Sequence, residues 1–226
     1  MAKIDHKLKI KPDDLVFQVH TFDVDIQSNH IYLFGVDRGY ESVPGDQEPG
    51  IEYVIASRFI RNINLCMRAN PDKPIVIHMK SCGGYWEEGM AIYDAIKSCP
   101  NKVTILNYTH ARSMTSIIFQ AADKRVMMPN SYFMCHDGTY YVEGTVKQVR
   151  SNLQFDKRTE HTMLNIYAER MNKKGEFKGQ GITKIKKWLR EEMNKKEDVF
   201  LTPTQTIELG LADCIFNYDW TTLTKY

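Results

Sequence analysis

Residues 74–128 read PIVIHMKSCGGYWEEGMAIYDAIKSCPNKVTILNYTHARSMTSIIFQAADKRVMM. Pro74 to Met79 is a β-branched run, and Ser81-Cys-Gly-Gly84 is a tight turn out of it. Glu87 to Ser98 then carries Met90, Ile92 and Ile96 at positions that suit a helix. Val103 to Tyr108 is a second strand, Ala111 to Ala122 a second helix, and Lys124 to Met128 a third strand closed by Pro129-Asn-Ser131. Strands alternating with helices of about a dozen residues predict an α/β fold on a parallel sheet with right-handed crossovers.

The flanks extend this pattern. Ile31 to Gly35 reads as a core strand, followed by a turn-rich stretch from Asp37 to Gly50. From Ile51 to Arg68, Val54, Ile55, Phe59, Ile60 and Ile63 recur at helical spacing, and Asn70-Pro71 stops the helix. Residues 1 to about 30 form an N-terminal arm with at most one strand, Leu15 to Val19. Downstream, Phe133 to Cys135 is a short strand. Gly144 to Met171 is a charge-rich helix long enough to project or to pack on another subunit. A further helix spans about Ile182 to Lys195 within a lysine-rich segment, and no repeat or second domain is visible.

Composition excludes several classes. The 226 residues carry 30 basic and 28 acidic side chains, a net charge of +2, so nothing calls for a nucleic-acid partner. Apolar runs fall far short of the roughly 20 residues that span a bilayer. The opening MAKIDHKLKIKPDD has no apolar signal core, so secretion is not expected. Cys66, Cys82, Cys99, Cys135 and Cys214 are odd in number and contain no C-x-x-C pair, which argues against a disulfide scaffold or structural zinc. Reduced thiols in a cytoplasm fit this usage. There is no phosphate-binding G-x-x-x-x-G-K-[ST] loop.

Ligands of parallel sheets collect at strand carboxyl ends. Two such ends stand out, Met79 to Gly84 and Tyr108 to Met114. Ser113 opens a helix, where the helix field favours developing negative charge. The amide of Met114 is unpaired within that helix, and Gly84 brings a second backbone amide close. Each piece also has an ordinary structural reading. Ser113 suits a helix N-cap, Gly83-Gly84 a turn, His136 a satisfied structural histidine and Asp198 a solvated acid before a strand.

Taken in order, the segments resemble the Clp protease proteolytic subunit family (ClpP). Ser81-Cys-Gly-Gly-Tyr-Trp-Glu-Glu-Gly-Met-Ala-Ile-Tyr-Asp94 is similar to the family's S-P-G-G-x-x-x-x-G-x-A-I-Y-D, and Ala111-Arg-Ser-Met114 to its A-A-S-M. Lys124-Arg125, Met128-Pro-Asn-Ser131 and Cys135-His136 resemble K-R, L-P-N-S and I-H. Glu197 to Thr202 resembles R-D-x-F-L-S, and Glu208 to Asp213 resembles E-Y-G-L-V-D. The resemblance runs from about Ile31 to Ile215.

It implies a spiral of β-β-α units, akin to the crotonase fold, over residues 31–226, with a handle helix at about 142–172. It implies a serine endopeptidase with Ser113 as nucleophile, His136 as general base, Asp198 as orienting acid, and the Gly84 and Met114 amides as oxyanion hole. His110 is a rival base, and Glu191 and Glu192 are rival acids. No cofactor is implied. The implied assembly is a homo-oligomeric seven-membered ring, in one or two stacked layers, in the cytoplasm or in a host's if the source is viral. The implied partners are an ATP-driven unfoldase of the AAA+ class, ClpX- or ClpA-like, and unfolded protein substrates. The arm over residues 1–30 would line the axial entrance.

The sequence departs from the family at several places. Cys82 replaces a proline, and Tyr85-Trp86 replace a small polar and β-branched pair that borders the cleft. Arg112 needs an acidic partner, for which Asp137 or a neighbouring subunit is the expectation. Thr115 stands where glycine or alanine is common. Glu197 replaces an arginine that helps pair rings, which leaves a single ring open, and about ten extra residues precede Asp198. Two alternatives stand beside the leading reading: a catalytically silent ring subunit and a phage-type capsid maturation protease.

Overall fold

The computed structural model describes residues 12–34, 48 and 50–226. Most of the turn-rich stretch from Asp37 to Gly50 therefore lies outside the described residues, as do Gly35 and the first 11 residues of the arm.

The chain alternates strands and helices: α1 Pro12–Phe22, β1 Val24–Asp25, β2 His30–Leu33, α2 Tyr53–Ala69, β3 Ile75–Ser81, α3 Trp86–Lys97, β4 Val103–Arg112, α4 Met114–Phe119 and β5 Lys124–Met127. There follow β6 Tyr132–Cys135, α5 Val146–Lys173, α6 Ile182–Lys196, β7 Val199–Leu201, α7 Pro203–Glu208, β8 Cys214–Ile215 and a 3-10 turn at Trp220–Thr224. The sheet order is β1-β2-β3-β4-β5-β8, with β6 pairing β4 and β7. The fold is the expected α/β class, although the sheet is mixed: β1 pairs antiparallel with β2, and β6 with β7.

Strand β3 is buried at six of seven positions, as a parallel strand covered on both faces requires. Helices α2, α3, α4 and the second half of α5 cover one face, around Phe59, Ile63, Ile92, Ile118 and Tyr167. A smaller cluster lies on the other face, where Val76, Leu106 and Val126 meet Phe216 and Leu223 from the C-terminal segment.

Two expectations change. Leu15 to Val19, read as a strand from its branched and aromatic residues, lies within helix α1. Its half-buried positions, Leu15, Gln18 and Val19, fall at the spacing of one helix face, and Pro12 stands at the first helical position, where its missing N–H costs nothing. The helix expected from Ala111 starts only at Met114, because Ala111 and Arg112 remain in β4.

That extension of β4 positions everything that follows. Its first part, Thr104–Asn107, pairs with β5, while His110–Arg112 pairs with β6. One ten-residue strand thus serves two neighbours in succession.

Candidate active site

Ser113 follows the last residue of β4 and precedes α4. It has φ 52° and ψ −129°, a left-handed conformation that costs a non-glycine residue about 1–3 kcal/mol. Its amide donates to the Met134 carbonyl at 3.1 Å, which ties the strained turn to β6. The side chain occupies the helix N-cap position without capping, since it accepts no bond from the first turn. Ser113 Oγ instead lies 2.9 Å from His136 Nε2.

His136 and Asp198 meet through the β6–β7 pairing. Cys135 is opposite Val199, so the residue after one strand lies beside the residue before the other. His136 Nδ1 is 2.9 Å from Asp198 Oδ1. The three groups form one continuous chain of contacts at the strand ends.

The glycine turn closes against the same point. Gly83 has φ 104°, and a Cβ there would stand 2.7 Å from Ser113 Cβ and 2.9 Å from Met114 N. Gly84 forms a parallel bridge with Ile51, and a Cβ on it would collide with the Ile51 backbone. The bridge uses the Gly83 carbonyl, which accepts from Ile51 N–H at 2.5 Å, and the Tyr85 amide, which donates to Ile51 O at 2.9 Å. The Gly84 amide takes no part in it. Met114 supplies the first amide of α4, which has no intrahelical acceptor.

Below the serine, two hydroxyls brace α4. Thr115 Oγ1 lies 2.8 Å from both the Ser81 and Arg112 carbonyls and accepts from the Arg112 amide at 3.1 Å. The unusual threonine therefore joins the ends of β3 and β4 to the helix. Ser116 Oγ donates to the Ser113 carbonyl at 2.5 Å and meets the buried Tyr167 hydroxyl of α5 at 2.6 Å. Burial pushes the Tyr167 phenol well above its ordinary pKa, so it stays a neutral partner.

A cleft of about 780 Å³ opens over Ser113 and His136. Tyr85 and Trp86 line one side, and the 138–143 loop and the Phe155–Met163 face of α5 line the other. Glu87, Asp137, Glu143, Asp156 and Glu160 also border it, and among the described residues no lysine or arginine lines it, although Arg190 pairs with both Asp137 and Glu160.

The rival groups sit elsewhere. His110 Nε2 contacts Glu48 at 2.9 Å, and burial lowers its pKa against the opposing pull of Glu48. Arg112 also faces Glu48, at 3.9 Å, because positions two apart on a strand share a side. Asp137, the acid expected for Arg112, instead takes two bonds from Arg190 at 2.8 and 2.7 Å. Glu191 lies by Lys187, and Glu192 by Lys195 and Lys196. Sequence reasoning missed the Arg190 contact, for which no local signal exists, and the bracing by Thr115, which it noticed only as a departure.

The family model for Clp protease matches residues 48–219. Among similar proteins, the "ATP-dependent Clp protease proteolytic subunit" of Deinococcus radiodurans is 25% identical over 169 residues, covering 74% of this chain and 76% of that protein. The matched span begins at the acid that faces His110 and contains every strand that carries Ser113, His136 and Asp198. It amounts to well over half of the sequence, and with it the chain belongs to the Clp protease family of peptidases.

Proposed function

We propose that the protein is a serine endopeptidase that cleaves unfolded polypeptides through Ser113, His136 and Asp198. The observation that carries this reading is the Ser113 Oγ–His136 Nε2 and His136 Nδ1–Asp198 Oδ1 chain, at 2.9 Å each. His136 takes the Ser113 proton as Oγ attacks the scissile carbonyl, and the C–O bond forms. Negative charge develops on the carbonyl oxygen, towards the amides of Gly84 and Met114. Loss of one such donor typically costs about 100- to 1000-fold. As the tetrahedral intermediate collapses, the C–N bond breaks and the imidazolium returns the proton to the leaving amine. Water, deprotonated by His136, then attacks the acyl carbon, the bond to Ser113 Oγ breaks, and the imidazolium returns the proton to Oγ. Asp198 holds the imidazole tautomer throughout, and no cofactor enters.

Family membership supports an oligomer working with an unfoldase. We read the assembly as one or two seven-membered cytoplasmic rings, with the arm of residues 1–30 at the axial entrance and the handle of about 142–172 between rings. The unfoldase is of the AAA+ class. The silent-subunit alternative loses ground to the intact Ser113, His136 and Asp198 geometry.

The test is fluorophosphonate labelling of the wild type and Ser113→Ala, read beside native mass. Labelling confined to the wild type, with seven or fourteen chains, is the expected result. An assembled, unlabelled wild type would favour the silent subunit. A labelled monomer would remove the chamber and keep the peptidase.

A further inference from the structure

We infer that Arg190 is a positioning residue for His136, acting through Asp137; the inference rests on the proposed roles of Ser113, His136 and Asp198. Arg190 lies on α6, in the lysine-rich segment that the peptidase reading leaves without a task. Its Nη1 donates to both carboxylate oxygens of Asp137, and its Nη2 to Glu160 of α5. Asp137 is the residue after His136, where the backbone leaves β6 for the loop that borders the cleft.

The placement of α6 makes this contact matter. The helix ends at Lys196, two residues before Asp198. It therefore delivers the acid that meets His136 Nδ1, and from its middle it holds the backbone neighbour of the same histidine. Lys186, one turn earlier on the same face as Arg190, contacts His161 at 3.1 Å and Asn165 at 3.0 Å on α5. Helix α6 is thus fixed against α5 before Arg190 reaches across to Asp137. Among the described residues, Asp137 and Glu160 form no ion pair other than those with Arg190.

The side chains of Arg190, Asp137 and Glu160 are 25%, 50% and 40% exposed, a setting in which an ion pair adds little to folding unless it joins a network, as this one does. Its geometry also sets position. A guanidinium is always charged and planar, so two carboxylates on its two terminal nitrogens fix their separation and direction. Misplacing a reacting group by about 1 Å can cost about 100-fold in rate.

The experiment compares the wild type with Arg190→Gln, Arg190→Lys, Asp137→Asn and the Arg190→Gln/Asp137→Asn double variant, all as full chains. Fluorophosphonate labelling rate, kcat and KM on a fluorogenic peptide, native mass and unfolding midpoint are read for each. We expect Arg190→Gln to slow labelling and kcat by about 10- to 100-fold with KM, mass and midpoint unchanged. Arg190→Lys should recover part of the loss, and the double variant should be no slower than the slower single. Labelling of Arg190→Gln at the wild-type rate would overturn the inference. So would a loss that tracks a fall in midpoint or mass across all four variants, which marks a structural contact. A wild type unreactive at Ser113 would overturn the underlying peptidase reading as well, and so separates that failure from failure of the clamp.

Discussion

Gly83 and Ser113 share one constraint from opposite sides. The serine accepts a left-handed backbone so that Oγ leaves the strand end towards His136. The glycine, at φ 104°, lets its own backbone pass within contact of that turn. Gly83→Ala would place a methyl 2.7 Å from Ser113 Cβ in a conformation that alanine resists. We expect it to slow fluorophosphonate labelling by at least about 100-fold, since the turn must shift by a substantial fraction of an ångström. Labelling at the wild-type rate would show that the turn relaxes without moving Oγ. The Gly-Gly pair was legible as a turn from the sequence. Its contact with Ser113 was not, because the two are separated by thirty positions and meet only through the β3–β4 register, Ser81 opposite Ala111.

Among the elements, α5 is the one that the isolated chain explains least. It has 28 residues, yet its buried side chains begin only at Met163. The first half is held by a capping box, Thr145 with Gln148, and presents Val146 at 67% and Leu153 at 45% exposure. A helix gains most of its stability from packing an apolar face, so a stripe of this kind asks for a second copy. If the handle joins rings, Leu153→Glu should halve the native mass of a double ring while leaving the unfolding midpoint of the single ring unaltered. An unchanged mass would place the ring contact elsewhere. Helix α5 was read from sequence almost to its ends, as long periodic segments usually are. Helix α1 was misread, because five residues rich in valine and phenylalanine carry a strand preference that the flanking positions override.

At the scale of the molecule, the two faces of the sheet are unequal, and the smaller cluster encloses titratable groups. His78 lies 3.0 Å from both His30 Nδ1 and the Tyr108 hydroxyl, and stacks on Tyr32 at 4.7 Å. Burial, and secondarily His30, lowers its pKa from 6.5 to about 4. A histidine whose folded pKa is depressed stabilises the fold fully above its unfolded pKa. That contribution is lost as pH falls from 6.5 towards 4, by about 3 kcal/mol at most. The unfolding midpoint of the wild type should therefore drop more steeply between pH 6.5 and 4.5 than that of His78→Phe, which keeps the stacking. Equal slopes would mean that His78 titrates normally in the fold. The pair of buried Arg125 with half-buried Asp213 belongs to a lower range. Although burial opposes it, the guanidinium holds the Asp213 carboxyl below its usual pKa, so its contribution disappears only under more acidic conditions.

Local patterns in the chain were enough to reveal the alternation of strands and helices and the long helix α5, while the motifs around Ser113, His136 and Asp198 were legible through their resemblance to a known family. The elements depend on near neighbours, on 3.6- or two-residue periods, or on turn residues, and such preferences are written within a dozen positions. Folding supplied what joins distant positions. The doubled pairing of β4 and the Cys135–Val199 register bring His136 to Ser113 and Asp198, while Arg112 turns to Glu48 and Asp137 to Arg190. Partners of this kind are selected by which strand lies beside which and by the side of the sheet a residue faces. That information arises when the sheet assembles, and no local stretch of sequence contains it.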